Sequence, residues 1–370
     1  MKDVGLPEVK RLKSLDALRG FDMIWILGAD KIAIELAKIT HWPFLEWWAG
    51  QMHHIEWHGF NLYDMIFPLF LFLAGISFCF SLAKFNQSPK NKSSLYIKII
   101  KRGLLLWLLG LIFANTGIRF DFSNMEFHTV LGRIGLSWMF AAIIFMNTKL
   151  YTRIGIFSGL LVLYWLLLLI FPIGHLGSAD PFSVEGNLVN YIDTMISDSK
   201  HTYAIFNLGY MTSVSTALLG MLTGQFIQSE YLKEKPLKKV LYMIIAAFGL
   251  MIIGQIWNLV FPINKMLNTS SFVCWVGGLS LLLFAIFYLV IDIWNYTKWT
   301  TFFVVIGMNS ITIYLAGRLI GFELTAKCLF GGFISLLPEL WSPVLQAAAY
   351  LATGWLFMYW LYKRKIFLKI

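Results

Sequence analysis

A chain of 370 residues that is 58% hydrophobic and only 14% charged cannot be wrapped into a water-soluble globule, where roughly 25% of residues are charged; this is the composition of a membrane protein. Three cysteines, Cys79, Cys274 and Cys328, are too few and too scattered for a disulfide framework or a cysteine metal site. The formal net charge of +10 would suit a nucleic-acid partner if the cations formed a patch, and their distribution along the chain shows that they do not.

The first 14 residues, MKDVGLPEVKRLKS, are polar and lack the apolar run and cleavage site of a secretory signal. Residues 1–15 are therefore expected to be a retained cytoplasmic segment. A bilayer crossing takes about 20 mostly apolar residues, and the segments that qualify are 16–38, 61–84, 96–115, 128–147, 152–172, 206–228, 239–261, 271–293, 300–321 and 342–362. The fold class is thus all-α: a polytopic membrane protein of about ten transmembrane helices, forming one transmembrane domain over 1–370. The connections on the side of the N-terminus hold 21 Lys and Arg, and those on the opposite side only Arg119, Lys200, Lys265 and Lys327. Positive loops stay cytoplasmic, so both termini are expected there and no nucleic-acid partner is expected. The longest connection, 173–205, falls outside and carries Asp180, Glu185, Asp193 and Asp198, reading as a lid or a plain connector. Paired helices broken by Gly or Pro, a mark of many transporters, are not evident.

Ionisable residues within a span cost about 2.5–3.5 kcal/mol each on insertion scales and commonly mark a site. Here they are Asp22, Asp30, Lys31, Glu35, Asp64, Arg133 and Arg318, joined by the amides Asn258 and Asn309 and by Ser310. Following each span in its assigned direction puts Asp30, Lys31, Asp64, Arg133, Asn258 and Arg318 in the outer half of the membrane. There they either form a site or pair as Asp64–Arg133 and Asp30–Arg318 to hold helices in register. All seven histidines, His41, His53, His54, His58, His128, His175 and His201, fall outside or at an outer helix end. Four lie in HWPFLEWWAGQMHHIEWHGFNLYD beside Trp42, Trp47, Trp48 and Trp57, which read as an interfacial belt or as platforms for a sugar ring. His54 and His58 at i,i+4 would suit a metal with Glu56 or Asp64, but the HExxH order is absent, and no metal is expected. An imidazole titrating near 6.5 also meets the requirement for a general base.

The stretches RLKSLDALRGFDMIWILGAD, HIEWHGFNLYDMIFPLFLFLAG, VLGRIGLSW, FPINKMLNTSSFVCW and GMNSITIY resemble the heparan-α-glucosaminide N-acetyltransferase family and its bacterial relatives, from about residue 11 to the last span. The resemblance implies a transmembrane acetyltransferase that takes acetyl-CoA from the cytoplasm and passes acetyl to the amine of a terminal glucosamine on the outer side. The family's catalytic histidine precedes a tryptophan by three residues, a glycine by five and an aspartate by ten. That pattern selects His54, Trp57, Gly59 and Asp64 and passes over His53 and His58. A polar position late in the first helix, commonly asparagine, falls on Asp30. Arg133 fits the arginine of the fourth helix, Asn264 and Lys265 the FPINK turn, and Asn309 with Ser310 the GMNS motif. Where relatives often show acids at the start of the sixth helix, this chain has FNLGYMTS, with Phe206 and Leu208, which implies a different acceptor if those acids bind the amine.

The implied roles are His54 as base or acetyl carrier, Asp64 orienting it, and Asn309 joining them in catalysis. Asp30, Trp57, Arg133, Asn258, Asn264, Lys265 and Ser310 would contact substrate. Polyanionic acetyl-CoA would meet Arg19, Lys98, Lys101 and Arg102 at the cytoplasmic mouth, although each also reads as an ordinary positive-inside residue. The expected partners are an amino-sugar or glycan acceptor and the lipid bilayer, with a homodimer admitted, in a bacterial cytoplasmic membrane. An O-acyltransferase of an envelope polysaccharide and a proton-coupled secondary transporter are the alternatives.

Overall fold

The structure, a computed structural model, describes residues 12–87, 91–115, 127–171, 180–196 and 208–368. Within them every regular element is helical. Among the described residues six helical stretches are long and apolar enough to cross a membrane: Leu62–Asn86, Val130–Asn147, Leu150–Ile170, Pro236–Asn258, Ser270–Ile293 and Glu339–Lys363. They correspond to the second, fourth, fifth, seventh, eighth and tenth expected spans. The other four depart from a plain apolar rod, each for a physical reason.

The first expected span is a bent helix. α1 (Lys13–Ile24) passes through a π turn at Trp25–Ala29 into α2 (Asp30–Thr40). Gly28 takes φ 113° there, a conformation that L side chains avoid, and a Cβ on it would meet the Tyr350 ring at 3.0 Å. The Asp292 carboxylate caps α1, accepting from the backbone N–H groups of Lys13 and Ser14 at 3.2 and 3.1 Å. His41, in the left-handed region, ends α2, and α3 (Pro43–Gln51) follows with Trp42, Phe44 and Trp47 exposed, as an interfacial belt requires.

A 3₁₀ turn at Leu62–Met65 leads into α4 (Ile66–Asn86). α5 (Lys92–Ala114) is the third expected span, made less apolar by Lys98, Lys101 and Arg102 near its start. It packs against α6 (Val130–Asn147), and α7 (Leu150–Ile170) and the short α8 (Leu188–Ile196) come next. α9 (Tyr210–Gln228) is the sixth expected span; it is rich in Ser, Thr and Gly and is sheathed by neighbours, with Thr212, Ser213 and Ser215 fully buried. Its hydroxyls bond back to the carbonyls one turn earlier, Ser213 to Gly209 at 2.9 Å and Thr223 to Leu219 at 2.9 Å, so a helix surrounded by protein does not need the apolar surface that lipid demands.

α10 (Pro236–Asn258) and α11 (Ser270–Phe287, prolonged by a π turn to Ile293) pair closely. The ninth expected span, 300–321, is not one helix. It divides into α12 (Thr301–Gly307) and α13 (Ser310–Leu319), separated at Met308–Asn309, and α14 (Phe322–Ile334) continues beyond a second break at Ile320–Gly321. α12 lies antiparallel to α1: a Cβ on Gly20 would fall 1.8 Å from the Phe303 carbonyl oxygen, and one on Gly307 1.9 Å from that of Asp16. It therefore runs opposite to the direction expected for a single ninth span. α14 packs on α15 (Ser342–Lys363), with Phe322 against the Tyr350 and Phe357 rings. The bundle thus contains two broken helices in mutual contact, which the sequence did not reveal.

Candidate active site

The site is assembled from two loops that fold onto each other. After α3 the chain runs through 52–61, braced by Asn61, whose amide donates to the carbonyls of His53 at 2.9 Å and Gly50 at 3.3 Å. Asn61 also begins the 3₁₀ turn, its backbone N–H donating to Asp64 Oδ2 at 3.1 Å. Gly59, at φ 120°, bends the loop so that its N–H donates to the Ile263 carbonyl at 2.8 Å. The facing loop, 259–269, is held by two asparagines expected from the sequence to touch substrate. Asn258 Oδ1 accepts from the Ile263 N–H at 2.7 Å, and fully buried Asn264 accepts from the Leu267 N–H at 2.8 Å. Both side-chain oxygens help shape the turn that presents Lys265. Asn264 also reaches His58, Nδ2 to Nδ1 at 3.4 Å.

Where the loops meet, His54, Asp64 and Lys265 converge. Asp64 is fully buried; its Oδ1 lies 2.7 Å from His54 Nδ1 and 3.1 Å from Lys265 Nζ. Lys265 Nζ is in turn 2.7 Å from His54 Nδ1 and 3.2 Å from Nε2. One ring nitrogen cannot donate to a carboxylate and accept from an ammonium at once, so the protons of this triangle have two arrangements. With Nδ1–H given to Asp64, Nε2 carries the free lone pair; with Nδ1 accepting from Lys265, Nε2 carries the proton. Burial pushes the Lys265 ammonium below the usual lysine range, and the Asp64 carboxylate opposes that push. The His54 side chain keeps 53% of its surface exposed, and its ring lies beside that of Tyr63, centroids 4.8 Å apart.

His54 and Lys265 open into a cavity of about 590 Å³ that also takes in Tyr63, His128, Arg133 and Ser310. Its remaining walls are apolar, from Met23 and Ile26 at the bend of the first helix to Ile311 and Tyr314 of α13. Buried Arg133 is held by the Ser213 hydroxyl (Nε–Oγ 2.8 Å) and the Gly209 carbonyl (3.2 Å), with the Phe67 ring 4.9 Å from its guanidinium carbon. Of the register pairs weighed from sequence, Asp64–Arg133 is not formed: Asp64 pairs with Lys265, while Asp30 hydrogen-bonds the Tyr63 hydroxyl. The side chain of Arg318 lies outside the described residues.

Several expected site residues stand elsewhere. Asn309 donates to the Ile366 carbonyl at 2.9 Å and accepts from the Leu368 N–H at 3.2 Å, so it pins the C-terminal tail while its neighbour Ser310 lines the cavity. Trp57 gives its indole N–H to the Phe182 carbonyl at 2.8 Å and braces the segment 180–196. Neither it nor Asp30 lines the cavity. Of the four cations expected for acetyl-CoA, none lines it. Lys98 and Lys101 are exposed on α5, Arg102 lies 4.4 Å over the Trp138 ring, and Arg19 donates to Ser77 Oγ at 2.6 Å. Arg19 nonetheless stands one helical turn before Met23, on the same face of α1. Tyr63 and His128 were not singled out as site residues; Tyr63 adjoins Asp64 in sequence, and His128 opens the helix that carries Arg133.

No family model matches the chain. It is similar to the curated heparan-alpha-glucosaminide N-acetyltransferases of Mus musculus, at 24% identity, and Homo sapiens, at 23%. Each match covers 97% of this chain and 60% of the relative, so the chain spans about 60% of the length of the curated proteins it matches. Identity is low but extends from end to end of this sequence, and the chain is a distant relative of the heparan-α-glucosaminide N-acetyltransferase family.

Proposed function

We propose that the chain is a membrane-embedded acetyltransferase that moves acetyl from acetyl-CoA to the amine of a glucosamine-like sugar or glycan, with His54 as the base or the acetyl carrier, in a bacterial cytoplasmic membrane. The observation that carries this reading is the His54–Asp64–Lys265 triangle at the mouth of an apolar cavity that also contains Arg133. An acceptor amine arrives as an ammonium and must shed a proton before it attacks a thioester. His54 Nε2 is the base exposed to take it, and buried Asp64 stabilises the imidazolium that results. As the thioester carbonyl becomes tetrahedral its oxygen gains charge, and the Arg133 guanidinium or the Lys265 ammonium is the cation available to it. Alternatively, the imidazole attacks the thioester, carries the acetyl and passes it to the amine. The apolar walls exclude the water that would hydrolyse either species. The donor would enter near Arg19, one turn below the cavity floor at Met23.

Purified protein supplied with radiolabelled acetyl-CoA and a panel of amino sugars tests the reading. The expected result is an alkali-stable acetylated sugar whose formation stops without acetyl-CoA. A folded His54→Ala protein that acetylates at the parent rate would remove the central assignment, and an alkali-labile product would turn it into an O-acyltransferase.

One observation favours a transporter instead. The breaks at Trp25–Ala29 and Met308–Asn309 lie in touching helices, and Ile26 and Ser310, at those breaks, both line the cavity; discontinuous helices around a central site recur in secondary transporters. Uptake of labelled sugar into vesicles without acetyl-CoA would support that alternative.

A further inference from the structure

Lys265 is an amine already standing where an acceptor's amine has to arrive. Its Nζ lies 2.7 and 3.2 Å from the two ring nitrogens of His54 and faces the same cavity. A carbonyl carbon brought within bonding reach of His54, or carried on it, is therefore within reach of Lys265 as well. It is also the one lysine among the cavity's lining residues. We propose that, when acetyl-CoA is present without an acceptor, the chain acetylates its own Lys265 Nζ and so closes the site; the inference rests on the acetyl-transfer reading above.

The chemistry balances without another reactant. The Lys265 ammonium passes one proton to the imidazole of His54, and the neutral amine attacks the thioester carbon. The N–C bond forms, the C–S bond breaks, and the electron pair leaves with sulfur. The thiolate takes the imidazolium proton, and the second amine proton leaves through His54 or Asp64 to solvent. The net change is acetyl-CoA plus lysine ammonium to acetyl-lysine, CoA thiol and a proton. Two features favour the step. Burial depresses the ammonium, so the reactive amine is reached at a lower pH than on an exposed lysine. His54 also supplies a base at hydrogen-bond distance. The product is neutral, leaves Asp64 without its ammonium and places an acetamide against the imidazole, so acceptor turnover should fall as label accumulates. An acceptor occupying the cavity competes for the same acetyl and protects the lysine.

The test incubates the purified full chain with radiolabelled acetyl-CoA, with and without glucosamine. Samples are treated with hydroxylamine to strip acyl-imidazole and ester label, then mapped by peptide mass spectrometry. The expected result is hydroxylamine-stable label on Lys265, rising in parallel with loss of acetyltransfer, slowed by glucosamine, absent from Lys265→Arg and reduced about a hundredfold in His54→Ala, the loss of a positioned base. Acceptor acetylated over many turnovers while Lys265 stays unlabelled would overturn the inference and leave the proposed function intact. Label spread over exposed lysines such as Lys98 and Lys101, undiminished in His54→Ala, would also overturn it, as non-enzymatic acetylation. Neither acceptor nor protein labelled would overturn the proposed function itself.

Discussion

Asp64 and His54 touch each other but are predicted to fail differently when removed, because one is fully buried and the other half-exposed. Asp64→Asn keeps the shape of the side chain and deletes the charge that balances Lys265, whose side chain is only 22% exposed. Stranding one member of a buried ion pair costs about 3–5 kcal/mol, and the residual exposure of Lys265 brings the figure toward about 2–3 kcal/mol. Its thermal midpoint in detergent should therefore drop together with its rate. His54→Ala should keep its midpoint within a degree or two while acetyl transfer falls by about 10²–10⁴; a melt and a rate measured on both proteins separate the two effects. His58 offers a pH prediction. Partial burial holds it below its ordinary value, with Asp180 opposing. As pH falls through about 6.5 the unfolded chain binds that proton first, so stability is lost on the acid side of about 6.5 and unaffected above it. His58→Gln should flatten part of a midpoint-versus-pH curve between pH 5 and 7, and an unchanged slope would show that His58 is not responsible. At this scale the residues alone left several histidines open, and resemblance to a family singled out His54 and Asp64, which lie close along the chain. Lys265 joins them from more than 200 residues away, and only resemblance to a family brought it forward. Asn309 shows the converse: its motif was visible, but the partner that claims its amide, the C-terminal tail, is set by tertiary structure.

Two glycines allow α1 and α12 to touch through their backbones, and a pair of substitutions tests how much the site depends on that contact. Gly20→Val or Gly307→Val would drive a side chain into the carbonyl of the partner helix, since even a Cβ would lie 1.8–1.9 Å from it. Backbone cannot move aside as a flexible side chain does, and overpacking commonly costs about 1–3 kcal/mol. Both variants should melt lower and lose activity, because α1 carries Met23 and α13, which follows α12, carries Ser310 to the cavity. Gly249→Ala in α10 is the control, with nothing within 4 Å of the added Cβ. Replacing a helix-interior glycine at an unhindered position recovers about 0.5–1 kcal/mol, so it should melt no lower than the parent. Equal destabilisation by all three would mean that the close approach is not the cause. Hydropathy finds a helix by the apolar residues along it, which is why six spans were legible with bounds close to those observed. The span expected at 206–228 likewise falls on α9 although its surface is covered by protein, but hydropathy is blind to the breaks at Gly28 and Asn309, because a glycine or an asparagine signals a turn only when its surroundings force one. The π turn and the α12–α13 break are properties of packing against α15 and α1.

Across the whole molecule, the reversal of α12 does not change which side the later segments face, and this yields a prediction about orientation. Asp292, at the end of the α11 extension, caps Lys13 and Ser14, and Gly307 lies against Asp16. The chain between them therefore leaves and returns to the level at which α1 begins, a detour rather than an additional crossing. α13 and α14 then carry it away from that level, and α15 brings it back to the tail pinned by Asn309. The described N-terminal and C-terminal residues thus share one end of the bundle, and α14 lies toward the other. With 21 of the Lys and Arg in the connections on the terminal side against four opposite, that shared end should be cytoplasmic and α14 should face out. Cys328 in α14 is exposed, whereas Cys79 and Cys274 are buried, so the native cysteines report the orientation without engineering. A membrane-impermeant maleimide added to intact right-side-out vesicles should modify Cys328 and leave the other two unmodified, and Cys328→Ser should abolish the signal. Labelling of Cys328 only after the vesicles are opened would invert the assignment. His54 would then open on the cytoplasmic side with its acetyl donor, and acetylation across the membrane would have to be abandoned in favour of transfer on one side.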